Sequence, residues 1–174
     1  QGTLEKYPQS SLWYYRAGIF YLGQQNFPKA QQLLSDAWKL GVQQNSLDLG
    51  VFTAYLESFY QAGQYEKMFA FASEQIDTPA SPIAYAYMAL AQLKLNQQNE
   101  AAKSFDKALQ KAGVNDQMQG LVLQKMLDTV GRQTVESWYT QQLSQDPKSV
   151  QAHLLAWRLA QYEARYNNAV EHLD

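Results

Sequence analysis

The chain has 174 residues and a formal charge of −2, from 14 Lys and Arg against 16 Asp and Glu; 46% is hydrophobic, 13% aromatic and 17% charged. That much apolar surface excludes a wholly disordered chain, and the length suits one domain that buries a core without staples. The weakly acidic balance argues against a dedicated nucleic-acid binder, which needs a basic stripe to displace counterions from phosphates.

No apolar run approaches the roughly 18 residues of a membrane span. Cysteine is absent, which removes disulfides, thiolate nucleophiles and thiolate metal sites and leaves the redox compartment open. About two dozen glutamines supply polarity without charge. The chain opens Gln1-Gly2-Thr3, with neither an initiator Met nor a signal peptide, and reads as a fragment of something longer.

In chain order, the residues from Tyr14 to Leu40 read as helix, short polar turn, helix. Pro28, after Asn26 and Phe27, marks the start of the second of these. Gly41, Gly113 and Gly131 stand where helices are expected to stop, since glycine takes the left-handed cap conformation at little cost. Ser81-Pro82 is a helix start, with Ser as N-cap and Pro at the first helical position. Tyr85 to Leu109 repeats the helix–turn–helix pattern, and Ser149 after Asp146-Pro147-Lys148 caps a further helix. No alternation bounded by hairpin turns is visible.

The two hairpins share more than shape. Gly18 and Ala30 in the first, and Ala89 and Ala101 in the second, are small residues twelve apart where helices would cross. Each set continues to Leu34 or Phe105, then to Ala37 or Ala108. This pattern resembles the tetratricopeptide repeat, a 34-residue helical hairpin with small residues at positions 8, 20 and 27. Units then start near residues 11, 49, 82, 116 and 150. The first gap is four residues too long, and the surplus is expected between Gly41 and Asp48 as a longer loop or an extra helical turn. The second unit has Leu56 and Met68 at the small positions, the fourth Leu123 and Val135, and the fifth Trp157. The resemblance implies an all-α, right-handed superhelical solenoid of about five hairpins over residues 1–174. Residues 1–10, with Leu4-Glu5-Lys6-Tyr7-Pro8, match the end of a preceding repeat, and the fifth unit is truncated at Asp174. Exposed apolar surface is expected at one or both ends, with self-association as its consequence.

Chemistry is harder to find. His153 and His172 are nineteen residues apart, which is poor spacing for a metal, and no metal or other cofactor is expected. The carboxylates Glu57, Glu66, Glu74, Asp77, Glu100, Asp106, Asp128, Glu136 and Glu163 are scattered, and no spacing selects an acid–base pair. No phosphate loop or nucleophile elbow appears. Trp38 and Trp138 read as core filling; Trp157 sits at a crowded crossing point.

In the repeat family, six positions of each first helix line a concave face. Carried over, that face shows Tyr15, Arg16 and Ile19 from the first unit, Glu57 and Tyr60 from the second, and Tyr87, Leu90 and Lys94 from the third. The fourth gives Gln124 and Asp128, and the fifth Arg158 and Tyr162. A carboxylate-clamp subtype holds its ligand with Lys, Asn and Arg at set first-helix positions; Tyr15 and Ile19 stand where it wants Lys and Asn, and the third unit offers Ile83 and Tyr87, so a groove for an extended or helical apolar peptide fits better. The resemblance implies a non-enzymatic scaffold that holds a partner protein or peptide, with no nucleic acid and no membrane span. A bacterial envelope setting, such as pilus or polysaccharide-export assembly, follows by analogy from the composition. The alternatives are an accessory domain of a larger peptidase or glycosyltransferase, and a carbohydrate-binding array whose groove tyrosines stack on sugar rings.

Overall fold

The computed structural model describes the backbone of residues 9–113 and 115–171, and the side chains of these except 116, 151, 162, 163 and 165–171. The Leu4–Pro8 motif and His172 lie outside the described residues. The described chain is all-α, with nine helices packed mainly on their sequence neighbours. It falls into two compact units, residues 1–80 and 81–174.

The first unit holds α1 (Ser11–Gly23), α2 (Phe27–Gln43), α3 (Leu49–Gln61) and α4 (Tyr65–Ser73). The second holds α5 (Ser81–Lys94), α6 (Gln98–Ala112), α7 (Asp116–Val130), α8 (Arg132–Gln145) and α9 (Val150–Glu171). Local chemistry sets several starts. The Asn26 side chain accepts from Lys29 N–H at 3.3 Å just ahead of Pro28, and Asn115 accepts from Met118 N–H at 3.0 Å. Ser149 Oγ accepts from Ala152 N–H at 3.3 Å, which satisfies a donor that the first turn of α9 leaves open.

Four helix ends close in one way. The residue that turns the chain has a positive φ: Gln25 after α1, Asn45 after α2, Gly63 after α3 and Asn96 after α5. Around each, two backbone bonds nest one inside the other. After α5, Gln97 N–H donates to Gln92 O at 2.8 Å and Asn96 N–H to Leu93 O at 3.1 Å. After α3 the same pair is Gln64 to Phe59 at 2.9 Å and Gly63 to Tyr60 at 3.1 Å. This is the left-handed C-cap, which satisfies the last carbonyls of a helix. Gly113 and Gly131 also have positive φ and stand at helix ends as expected. Gly41 does not. Helix α2 runs on to Gln43, and Gly41 is buried in its last turn, where an added Cβ would lie 2.9 Å from the Ser46 carbonyl oxygen. The stop is made by Asn45, whose short polar side chain tolerates the left-handed region. The surplus residues are thus shared between a longer α2 and the loop after it.

In the first unit, α1 packs on α2, α2 on α3 and α3 on α4, and α1 also touches α3. Gly18 explains the closest approach, since a Cβ there would meet Leu34 Cγ at 2.6 Å. Leu22, Ala30, Leu34 and Ala54 form the core, and Tyr15, Tyr21, Phe27 and Tyr55 pack against it. Between α2, α3 and α4 the filling is aromatic. Trp38 lies 5.1 Å from Phe52, Phe52 5.7 Å from Phe71, and Phe71 4.7 Å from Tyr55. Leu56 and Met68 are fully buried at the crossing of α3 and α4, so larger side chains take the place of the small pair there. The Gln31 amide donates to Ser58 O at 3.3 Å and to Gln64 Oε1 at 3.2 Å, tying α2 to the α3–α4 hairpin.

In the second unit, α5 packs on α6 and α7, α7 on α6 and α8, and α9 on α6, α7 and α8. Ala84, Ala86, Ala89 and Ala91 of α5 and Ala101 and Ala108 of α6 are fully buried, and their methyl groups allow close backbone approach. One polar pair is buried among them. Ser104 Oγ donates to Gln92 Oε1 at 2.7 Å, which pairs the buried hydroxyl with the amide oxygen. Leu123 and Val135 are buried where small residues were expected. Trp157, at a crowded crossing position that left core and surface both open, is 49% exposed.

Candidate functional site

The helices that open at Ser11, Leu49, Ser81, Asp116 and Val150 start within one residue of the expected first helices and carry the expected groove positions. On α1, Leu12 is 51%, Ile19 40% and Phe20 60% exposed, and Arg16 is exposed beside them. The spacing i, i+4, i+7, i+8 puts all four on one side of the helix. The Arg16 guanidinium lies 5.1 Å from the Trp13 ring centre, a cation–π contact that holds the cation along the apolar strip. Tyr15 is half-buried against the unit's core. On α3, Glu57 and Tyr60 are half-buried; Glu57 accepts from the Gln61 amide at 3.3 Å, and the Tyr60 ring meets the Tyr65 ring edge-on at 6.0 Å.

On α5 the expectation fails for two residues. Tyr87 is 0% exposed and Leu90 is buried with it, so neither presents surface to a partner. The cause is the composition of α5, which is apolar or alanine on nearly every side from Ser81 to Gln92 and is buried throughout that stretch except at Met88. Lys125 Nζ lies 5.0 Å from the centre of the Tyr87 ring. Lys94, at the end of the helix, is exposed. On α7, Gln117, Leu121 and Asp128 are exposed and Gln124 is half-buried; Gln117, Leu121 and Gln124 repeat the i, i+4, i+7 spacing of Leu12, Arg16 and Ile19 on α1, and Asp128 extends that side by one turn. The Gln124 amide donates to Asp128 Oδ1 at 2.7 Å. On α9, Arg158 is half-buried; its Nε donates to Gln119 Oε1 at 3.1 Å, and its guanidinium lies 4.7 Å from the Trp157 ring centre. The side chain of Tyr162 lies outside the described residues.

Leu12, Phe20 and Leu121 carry exposed apolar surface and were not singled out from the sequence. For Leu12 and Phe20 the signal was present: α1 reads SLWYYRAGIFYLG, apolar on every side, while its neighbours cover only one side.

A second concave feature lies in the second unit, between α6 and α8. Trp138 rests on Phe105 with ring centres 5.6 Å apart, and its half-buried indole lines the cleft. Trp138 is thus core on one side and cleft wall on the other. The Gln142 amide donates to Asp106 Oδ1 at 2.6 Å across this cleft. Partial desolvation raises the Asp106 pKa above its ordinary 3.8, and the Gln142 hydrogen bond opposes the rise. His153 bonds through its ring Nε2 to Pro147 O at 3.0 Å. Among the described residues no group of three or more His, Asp or Glu side chains is placed to hold a metal ion, and no helix is long and apolar enough to cross a membrane.

Compared with known proteins, the chain matches no family model and no curated protein.

Proposed function

We propose that both units are built of tetratricopeptide-like hairpins, and that the chain is a non-enzymatic scaffold that holds a partner protein or peptide on the outward sides of its first helices. Three features support this reading: the left-handed cap that recurs between hairpin helices, the crossings buried at Gly18/Ala30, Leu56/Met68 and Ala89/Ala101, and the contacts of α1 with α3, α5 with α7 and α7 with α9. The observation that carries the binding function is the exposed Leu12–Arg16–Ile19–Phe20 side of α1. Large apolar side chains around a stacked arginine combine contact area with hydrogen-bonding capacity, as interface anchors do. The mixture suits an amphipathic helix or an extended apolar segment of the partner. The Gln-rich, Cys-free, weakly acidic composition fits a bacterial array that serves envelope assembly.

Photo-crosslinking in source cells tests the proposal. A photoreactive side chain at Ile19 is expected to give a discrete adduct with one partner protein. The same group at Gln32, exposed on α2, is expected to give none. Identical adduct patterns from the two positions would sink the proposal.

A further inference from the structure

We propose that the cleft between α6 and α8 binds a neutral oligosaccharide, with the Trp138 indole as its stacking platform. This site is separate from the first-helix sides discussed above and does not depend on them. Two adjoining cavities of about 440 and 490 Å³ share Asn99, Ala102, Trp138 and Gln141 as walls. Each is of the size of a small-ligand site, about 300–1,000 Å³.

The chemistry of the lining selects the ligand. The Trp138 indole packs at a tilt of 42° on the buried Phe105 ring, which anchors it at the cleft wall, and its half-exposed aromatic surface suits the apolar C–H side of a pyranose. Ala102, present in both cavities, contributes only a methyl group and leaves room next to the ring. Around the platform stand amides: Asn99 on α6, and Gln141 and Gln142 on α8. A carboxamide both donates and accepts, which matches a sugar hydroxyl, itself donor and acceptor. Formal charge is sparse and balanced, with Lys103 and Asp106 on the same helix lining one cavity. An anionic polymer would find Asp106 in its path, and a cationic one Lys103. Leu93, Val130 and Thr134 add to the wall of one cavity only, while the other is walled by amides and two charged groups apart from Ala102 and Trp138; a peptide would need apolar pockets for its side chains along both.

The test uses the 174-residue chain and two probes, cellotetraose and chitotetraose, followed by NMR at the Trp138 indole N–H, assigned by comparison with Trp138→Phe. The expected result is a saturable shift of that resonance with at least one tetraose. Trp138→Ala is expected to abolish binding. Asn99→Ala and Gln141→Ala, both at exposed side chains, are each expected to weaken it by about tenfold at unchanged melting temperature, the scale of one lost hydrogen bond. These two variants keep the test decisive if Trp138→Ala does not fold. The proposal is overturned if neither tetraose moves the resonance, or if Asn99→Ala and Gln141→Ala both bind like the parent. It is equally overturned if an asparagine-rich peptide or an alginate oligomer binds while both neutral sugars do not.

Discussion

At the scale of single residues, Tyr87 and Asp106 show how burial changes what a side chain does. The repeat resemblance placed Tyr87 in a groove; by burial it is core. Truncating a fully buried aromatic removes its transfer energy and leaves a cavity, so Tyr87→Ala is expected to lower unfolding stability by about 3–5 kcal/mol. Denaturant titration reads this directly, and a loss below about 1 kcal/mol would place the side chain at the surface, where substitutions cost little. For Asp106 the sign follows from its raised pKa. Folding favours the protonated form, so the group's contribution to stability is present below its ordinary 3.8 and is lost as the pH rises through the higher folded value. At pH 7 the ionised carboxylate therefore costs stability. Asp106→Asn retains an acceptor for Gln142 and is expected to melt above the parent at pH 7, with the two melting temperatures converging as the pH falls to about 3. A difference that does not vary with pH would mean that desolvation of the carboxylate is not the cause.

At the scale of elements, the hairpins are governed by glycines with different roles. Gly18 lies at a helix crossing, where an added Cβ meets Leu34 at 2.6 Å; Gly120, inside α7, has nothing within 4 Å. Alanine improves intrinsic helix propensity at either position by about 1 kcal/mol. Gly120→Ala is therefore expected to raise stability by about that amount, and Gly18→Ala to lower it because overpacking outweighs propensity. Gains at both positions would show that Leu34 yields freely. The turns give a second matched pair. Gln25 and Gly63 hold the same left-handed position in equivalent caps, with φ of 57° and 68°. Gln25→Gly is expected to stabilise and Gly63→Ala to destabilise, each by about 1 kcal/mol, the cost of a Cβ in that region. These elements also show what the sequence disclosed. Helix starts were legible because Pro28 and Pro82 restrict φ in the first turn and Ser149 caps, all of them local effects. The crossings at Gly18/Ala30 and Ala89/Ala101 were legible because small size is required where backbones approach. Gly41 misled because glycine serves close approach as well as chain reversal, and only the Ser46 carbonyl beside it tells the two apart. The burial of α5 was hidden for a similar reason: a position carried over from a resembling repeat suggests which way a side chain points, not what its neighbours cover.

At the scale of the whole molecule, weak charge and uncovered apolar surface act together. With 17% charged residues and a net charge of −2, long-range repulsion between copies is small. An exposed apolar side can then dictate association, and α1 offers one in Leu12, Ile19 and Phe20. The chain is expected to self-associate reversibly as its concentration rises, through contacts that survive high salt because they are apolar rather than ionic. Leu12→Gln with Phe20→Gln removes the two most exposed members of that side while leaving the buried Gly18 and Leu22 contacts of α1 in place. Sedimentation velocity over a concentration series distinguishes the possibilities. A parent that grows heavier with concentration and a double variant that stays monomeric would assign association to α1. A variant that associates like the parent would move the contact elsewhere, with Val150 and Trp157 of α9 the next exposed apolar pair to change. The outcome also bears on the scaffold reading, because a partner seated on α1 would compete with self-association: the same double variant would then lose both the oligomer and the Ile19 crosslink, whereas an oligomer lost with the crosslink retained would separate the two surfaces.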